Sequence, residues 1–229
     1  MYNLEMLTPY SKSDKNIKLR NLDKCSKIFH QLAEVLGTAL DARDRHTYLH
    51  SVQVADISSI LSNYLHFDSQ EKEILHIAAH LHDIGKIAIP DSILQKTEKL
   101  NAEEWQLIKQ HPVVGCKIIS ALKECLGSVI EEVVLLHHER FDGHGYPYGL
   151  KGTDIPPSVR VVSLADAVSA MFQDRPYRRG LGFEEIKREI LLNKGKQFCP
   201  VAVDAFLKAE KAIRFYLGRF KKCSFLEKK

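Results

Sequence analysis

The sequence predicts an all-α protein, a helical bundle in one domain, and three observations carry that prediction. Apolar residues recur at spacings of three and four along most of the 229 residues. No convincing hairpin or alternating strand pattern occurs between those stretches. The glycine and proline cluster Asp142-Gly143-His144-Gly145-Tyr146-Pro147 cannot be regular structure and marks a break between two helical stretches. A chain of this length can bury a core, and 45% hydrophobic with 27% charged residues excludes disorder over most of it.

Residues 1–20 are polar and turn-rich, with Pro9, Ser11 and Ser13, and are expected to form a loose arm or an oligomer contact. The helical domain is expected over 21–218. From Leu22 to about Asp41 the set Ile28, Phe29, Leu32, Leu36, Leu40 follows helical spacing, and Thr47 to Tyr64 repeats it with Val52, Val54, Ala55, Ile57, Ile60 and Leu61. Asp68-Ser69-Gln70-Glu71 is a cap opening the helix that carries His76, His80 and His82. Pro90 forces a turn after Ile87-Ala88-Ile89. Asn101-Ala102-Glu103-Glu104 opens a helix that ends at His111-Pro112, where Pro112 can begin the next. Further helices are expected at Val129–His138, Ser158–Met171, Phe183–Leu192 and Pro200 to about Leu217, with 219–229 as a basic tail.

Composition narrows the partners. No charge-free window approaches membrane-spanning length, and the N-terminus lacks the basic-then-apolar order of a signal peptide, so a cytoplasmic protein is expected. The net charge of +4 is modest and gathers in Arg214, Arg219, Lys221, Lys222, Lys228 and Lys229, without the aromatic interleaving that nucleic-acid binding uses. The five cysteines form no Cys-x-x-Cys pair, which argues against a disulfide framework or a thiolate zinc site.

The chemistry centres on His82-Asp83-Ile84-Gly85-Lys86, where an apolar helix stops at a glycine. An imidazole and a carboxylate side by side suit a metal ion, although capping alone would explain the pair. His82 shares a helix face with Leu75, Ala78 and Ala79, while His80 lies about 160° away at ~100° per residue. His76 and His80 are therefore read as structural or partly solvent-facing; His30 and His66 are unassigned. His50, His111 before Pro112, and the adjacent His137 and His138 also sit beside breaks or helix ends. Asp166 is a lone carboxylate in Val161-Val162-Ser163-Leu164-Ala165, which is costly unless a cation or strong donors compensate it.

The order of these motifs, with Asp174-Arg175-Pro176-Tyr177-Arg178 following, resembles the HD-GYP family of bacterial cyclic di-GMP phosphodiesterases from about Phe29 to Leu207. The resemblance implies that His50, His82, Asp83, His111, His137, His138 and Asp166 bind two divalent ions, iron or manganese, with Asp83 bridging. A hydroxide between such ions would attack a phosphodiester and linearise cyclic di-GMP to pGpG, with GMP as a further product. Lys86 would bind the scissile phosphate and assist the leaving oxygen, and Arg175 and Arg178 would hold the substrate phosphates. The loop Gly143-His144-Gly145-Tyr146-Pro147 is the family's eponymous element, implicated in contacts to diguanylate cyclase domains; its two glycines allow unusual backbone angles. A homodimer is a further expected assembly.

Three positions depart from the family pattern. Ser169 stands where a second aspartate is usual, so turnover is expected to be slow. Cys199 precedes Pro200 where an aspartate is common, outside the ligand set. His46, four residues before His50, takes the place at which some members carry a glutamate and hold a third ion; two ions are expected here rather than three. About 45 residues before His46 are too few for another ordinary domain. Two alternatives stay open: a cyclic di-GMP sensor or docking module without turnover, and another HD-type nucleotide phosphohydrolase.

Overall fold

The structure is a computed structural model describing residues 22–43, 49–174 and 179–226. The expectations for the N-terminal arm, His46, Arg175, Arg178, Lys228 and Lys229 fall outside those residues. The helices are α1 (Leu22–Arg43), α2 (His50–Ser62), α3 (Ser69–Leu81), α4 (Asp91–Leu94), α5 (Ala102–Ile108), α6 (His111–Ile119), α7 (Lys123–Leu126), α8 (Ser128–Leu136), α9 (Pro157–Phe172), α10 (Phe183–Leu192), α11 (Pro200–Lys208) and α12 (Glu210–Leu226). Tighter 3-10 turns occupy Ile84–Ala88, Ser120–Leu122 and Gly152–Asp154. Among the described residues extended pairing is limited to two isolated bridges, Asp142 with Lys151 and Lys194 with Phe198. The all-α class is as the apolar periodicity requires.

Local chemistry explains most boundaries. Asp68 accepts from the backbone N–H of Gln70 and Glu71 while Glu71 reaches back to the Asp68 N–H, so both orphan donors at the start of α3 are satisfied. Asn101 and Glu104 form the same reciprocal cap on α5. Helix α2 has no cap of its own; Asp41 at the end of α1 accepts from the N–H and hydroxyl of Ser51 at 2.9 and 2.8 Å. Three boundaries differ from expectation. Helix α5 stops at Ile108 and α6 already begins at His111; the single helix expected over 200–217 is two helices meeting at Ala209; and α12 runs on to Leu226, so much of the expected tail is helical.

The core lies where α2, α3, α8 and α9 meet. Val54, Ile57 and Leu61, Leu75 and Ile77, Val133 and Leu136, and Val162, Leu164 and Val168 are almost wholly removed from solvent. Each such side chain contributes about 1.5–3 kcal/mol. Phe206 of α11 packs into the same cluster, and the hydroxyl of Tyr216 in α12 donates to Asp56 of α2 at 2.7 Å. This packing sets the start of α2, the end of α3, the start of α6 and the end of α8 around one point, beside the middle of α9.

Candidate metal centre

The imidazoles at that point are aimed by a shared device. Nδ1 of His82 donates to the Ala79 carbonyl at 2.8 Å, Nδ1 of His111 to Ile108 at 2.7 Å, and Nδ1 of His137 to Val134 at 3.0 Å. A carbonyl can only accept, so the proton sits on Nδ1 and the Nε2 lone pair is turned inward. His50 reaches the same state by another route. Its Nδ1 donates to the Ser169 hydroxyl at 3.0 Å, and that hydroxyl donates onward to Gln53 Oε1 at 2.9 Å.

These nitrogens gather on Asp83. Its Oδ1 lies 3.1 Å from His111 Nε2 and 3.6 Å from His137 Nε2, and its Oδ2 lies 3.3 Å from His82 Nε2 and 2.5 Å from Lys86 Nζ. Asp166 Oδ1 is 3.2 Å from His50 Nε2. Asp83, His111, His137 and His138 each place a ligand atom within 4.8 Å of the others, and so do His50, His82 and Asp83. Asp83 belongs to both groups. Each of the seven expected ligand residues is therefore at this centre, and Lys86 borders it.

The electrostatics fit a cation. His82 Nε2 and Asp83 Oδ1 are buried without a hydrogen-bond partner, a condition that costs about 1–3 kcal/mol per atom unless something compensates it. Burial opposes charge on His82, but the Asp83 and Asp166 carboxylates outweigh it and lift the ring to about 9, so without a metal ion a proton occupies Nε2 and stands in for the cation that would displace it. Burial and the neighbouring imidazoles push His137 down to about 4 and His138 well below its ordinary range, which keeps both rings in the neutral form that ligates. Burial would raise both carboxyls; Lys86 and the imidazoles overcome it at Asp83, and His50, His82 and His138 overcome it at Asp166, so both lie below the usual carboxylate range. The donor set of imidazole and carboxylate without thiolate suits a borderline or hard divalent ion. Asp166 (19% exposed side chain) and Lys86 (21%) form the open side, while His50, His82 and His111 form the closed floor.

Two glycines make the convergence sterically feasible. A Cβ on Gly85 would stand 1.9 Å from the His111 carbonyl oxygen, so only glycine lets α6 approach Asp83 this closely. A Cβ on Gly145 would meet Arg140 N at 2.4 Å and Glu139 Cα at 2.6 Å. The sequence suggested unusual backbone angles for both loop glycines. Gly143 has φ +84°, whereas Gly145 is required for close approach, not for a left-handed angle.

That loop is tied to the centre. Tyr146, before the cis Pro147, stacks on the His138 ring at 4.7 Å, and Trp105 meets Tyr146 edge-on at 6.4 Å. Glu139 accepts from the N–H of Tyr148, Gly149 and Leu150 at 2.7–3.1 Å. Sequence reasoning missed Glu139, although its place directly after His138 was a signal. It also missed Gln53, and Arg43, which donates to the carbonyls of Lys86, Ile87 and Ile89 and so holds the Lys86 turn. Nothing local in the sequence marks Arg43.

Ser169 keeps a place beside the ligand set, because its hydroxyl orients His50. Of the two readings given for His80, structural or partly solvent-facing, burial at 3% exposure removes the second, and the ring clusters with His76 and the unassigned His30. No described helix is long and apolar enough to cross a membrane.

Residues 34–199 match the family model described as HD domain. A cyclic di-GMP phosphodiesterase of Thermotoga maritima is 40% identical over 183 residues, covering 80% of this chain and 50% of that protein. A 3'3'-cGAMP-specific phosphodiesterase of Vibrio cholerae is 38% identical over 178 residues, 78% of this chain and 34% of that protein. The chain spans half the length or less of these curated relatives. A cyclic GMP-AMP specific phosphodiesterase structure from Vibrio cholerae superposes with TM-score 0.62 at 20% identity, covering 83% of this chain and 50% of the other, and shows the shared fold.

Proposed function

The chain belongs to the HD-domain family, in its HD-GYP branch, and on that premise we propose that it is a metal-dependent phosphodiesterase opening cyclic di-GMP to pGpG, with GMP as a further product. The observation that carries this reading is the pair of donor groups sharing Asp83, with the Lys86 ammonium 2.5 Å from the same carboxylate. His50, His82, Asp83 and Asp166 would hold one ion; Asp83, His111, His137 and His138 would hold the other. Iron and manganese suit this mixed set. When bound, two such ions lower the pKa of coordinated water and neutralise charge building on a phosphodiester under in-line attack.

The chain's own residues supply the rest. Lys86, at the open side, binds an oxygen of the scissile phosphate and can deliver a proton to the leaving oxygen. Arg175 and Arg178 hold the second phosphate through their guanidinium forks. Tyr146 fixes the plane of the His138 ring, and the exposed loop tip at His144 is left for a diguanylate cyclase partner. A second copy of the chain is a further partner, and a cytoplasmic location goes with the substrate.

The test is incubation of the full chain, loaded with manganese or anaerobically with iron, with cyclic di-GMP and separately with 3'3'-cGAMP. Linear product from cyclic di-GMP is expected, and Asp83→Asn should abolish it together with the bound metal. Binding of the dinucleotide without product from the loaded protein would overturn the assignment in favour of a sensor, and product from 3'3'-cGAMP alone would move the substrate.

A further inference from the structure

Among the described residues one other set of metal-ligating side chains converges, away from Asp83. His30 of α1 and His76 and His80 of α3 each place an imidazole nitrogen within 4.8 Å of the others. We propose that His30, His76 and His80 form a separate metal site that takes a borderline divalent ion of the zinc class and clasps α1 to α3.

Four observations support it. His76 and His80 are one helical turn apart, so both rings leave the same face. Their Nε2 atoms are 3.2 Å apart, close to the ~3.3 Å edge of a tetrahedron with nitrogen–metal bonds of 2.0–2.1 Å. His76 Nδ1 is engaged by the Ala55 carbonyl at 3.2 Å and the Ser59 hydroxyl at 2.8 Å, which leaves Nε2 to ligate. This is the same arrangement that aims the rings at Asp83. Finally, His80 is buried, its Nε2 faces His76 Nε2 within hydrogen-bonding distance and its Nδ1 has no hydrogen-bond partner, so a buried ring is left half-satisfied.

The remaining parts are consistent with a ligand shell. The His30 ring stacks on His76 at 4.8 Å and meets His80 edge-on at 5.7 Å. It is only partly buried, and one of its nitrogens already lies within 4.8 Å of the other two. Glu34 lies one turn after His30 on the same helix face, and both Glu34 and Asp56 act on His76 as the nearby negative charges. Water completes the fourth position. A set of three imidazoles favours zinc, cobalt, nickel or copper over manganese, unlike the carboxylate-bearing centre. His80 lies one residue before Leu81, the last residue of α3, so an ion here would anchor α1 beside the helix end that presents His82 and Asp83.

The site does not depend on the proposed reaction and is tested without it. Zinc bound after equilibrium dialysis is counted by mass spectrometry for the full chain, for His30→Gln, for His76→Gln and for Asp83→Asn, with circular dichroism as the folding check. His30→Gln, at a partly exposed position, provides the variant that folds if His76→Gln does not. Both cluster variants should lose one zinc equivalent, or weaken it at least about tenfold, while Asp83→Asn retains that equivalent. Cobalt at the cluster should give visible absorption of tetrahedral intensity that His30→Gln removes and Asp83→Asn preserves. Equal zinc counts in the parent chain and folded His30→Gln, or loss of all zinc in Asp83→Asn, would overturn the proposal.

Discussion

Asp83 presents its two oxygens to different sets of imidazoles, so one side chain serves both halves of the centre. Asp83→Asn removes the charge but not the volume. It should cost more metal affinity than the ~10–100-fold typical of an outer-shell loss, measured as metal retained after dialysis. Ser169 works at one remove, by accepting from His50 Nδ1 and passing its own proton to Gln53. Ser169→Ala should lower metal affinity by about 10–100-fold with the fold intact, and Ser169→Thr, which keeps the hydroxyl, should recover most of it. The sequence marked Ser169 as a departure because a hydroxyl is shorter and uncharged. Only the approach of α2 to α9 reveals that it still meets an imidazole.

At the level of elements, four helix ends and one helix middle are brought together by caps and close approaches. The 3-10 turn Ile84–Ala88 packs against α6 because Gly85 has no side chain. Gly85→Ala must push α6 away, and overpacking of this kind costs about 1–3 kcal/mol. A lower urea midpoint with unchanged m-value is expected, together with reduced metal content, since His111 moves with α6. The caps at Asp68 and Asn101 were legible because reciprocal acid–backbone bonds need residues only three apart. The cap supplied to α2 by Asp41 was not, because it crosses between helices. The same limit hid Arg43 and its carbonyl contacts some 43–46 residues away.

Across the whole molecule, metal held at the centre should also act on stability. Metal that binds only the folded chain adds RT ln(1 + [L]/Kd), about 2.7 kcal/mol at a hundredfold excess over Kd. Chelation should therefore lower the melting temperature of the parent chain and leave a variant unable to bind metal unchanged. Far from the centre, burial raises the Glu132 carboxyl, with Glu131 adding to it. A carboxyl whose folded pKa is raised holds its proton more tightly when folded, so its contribution falls as pH rises through that range. Glu132→Gln should then stabilise the chain at pH 7, with the gain shrinking as pH drops into the ordinary carboxylate range, as followed by thermal melts. By itself the sequence determined the all-α class and most helix spans, because periodicity and breaks are properties of neighbours along the chain; the seven residues that surround Asp83 were expected from the resemblance that motif order carries. Only the tertiary structure decided that Ser169 supports His50, that Gly145 is needed for approach, and that His30, His76 and His80 meet, because each is a distance between segments that linear spacing does not fix.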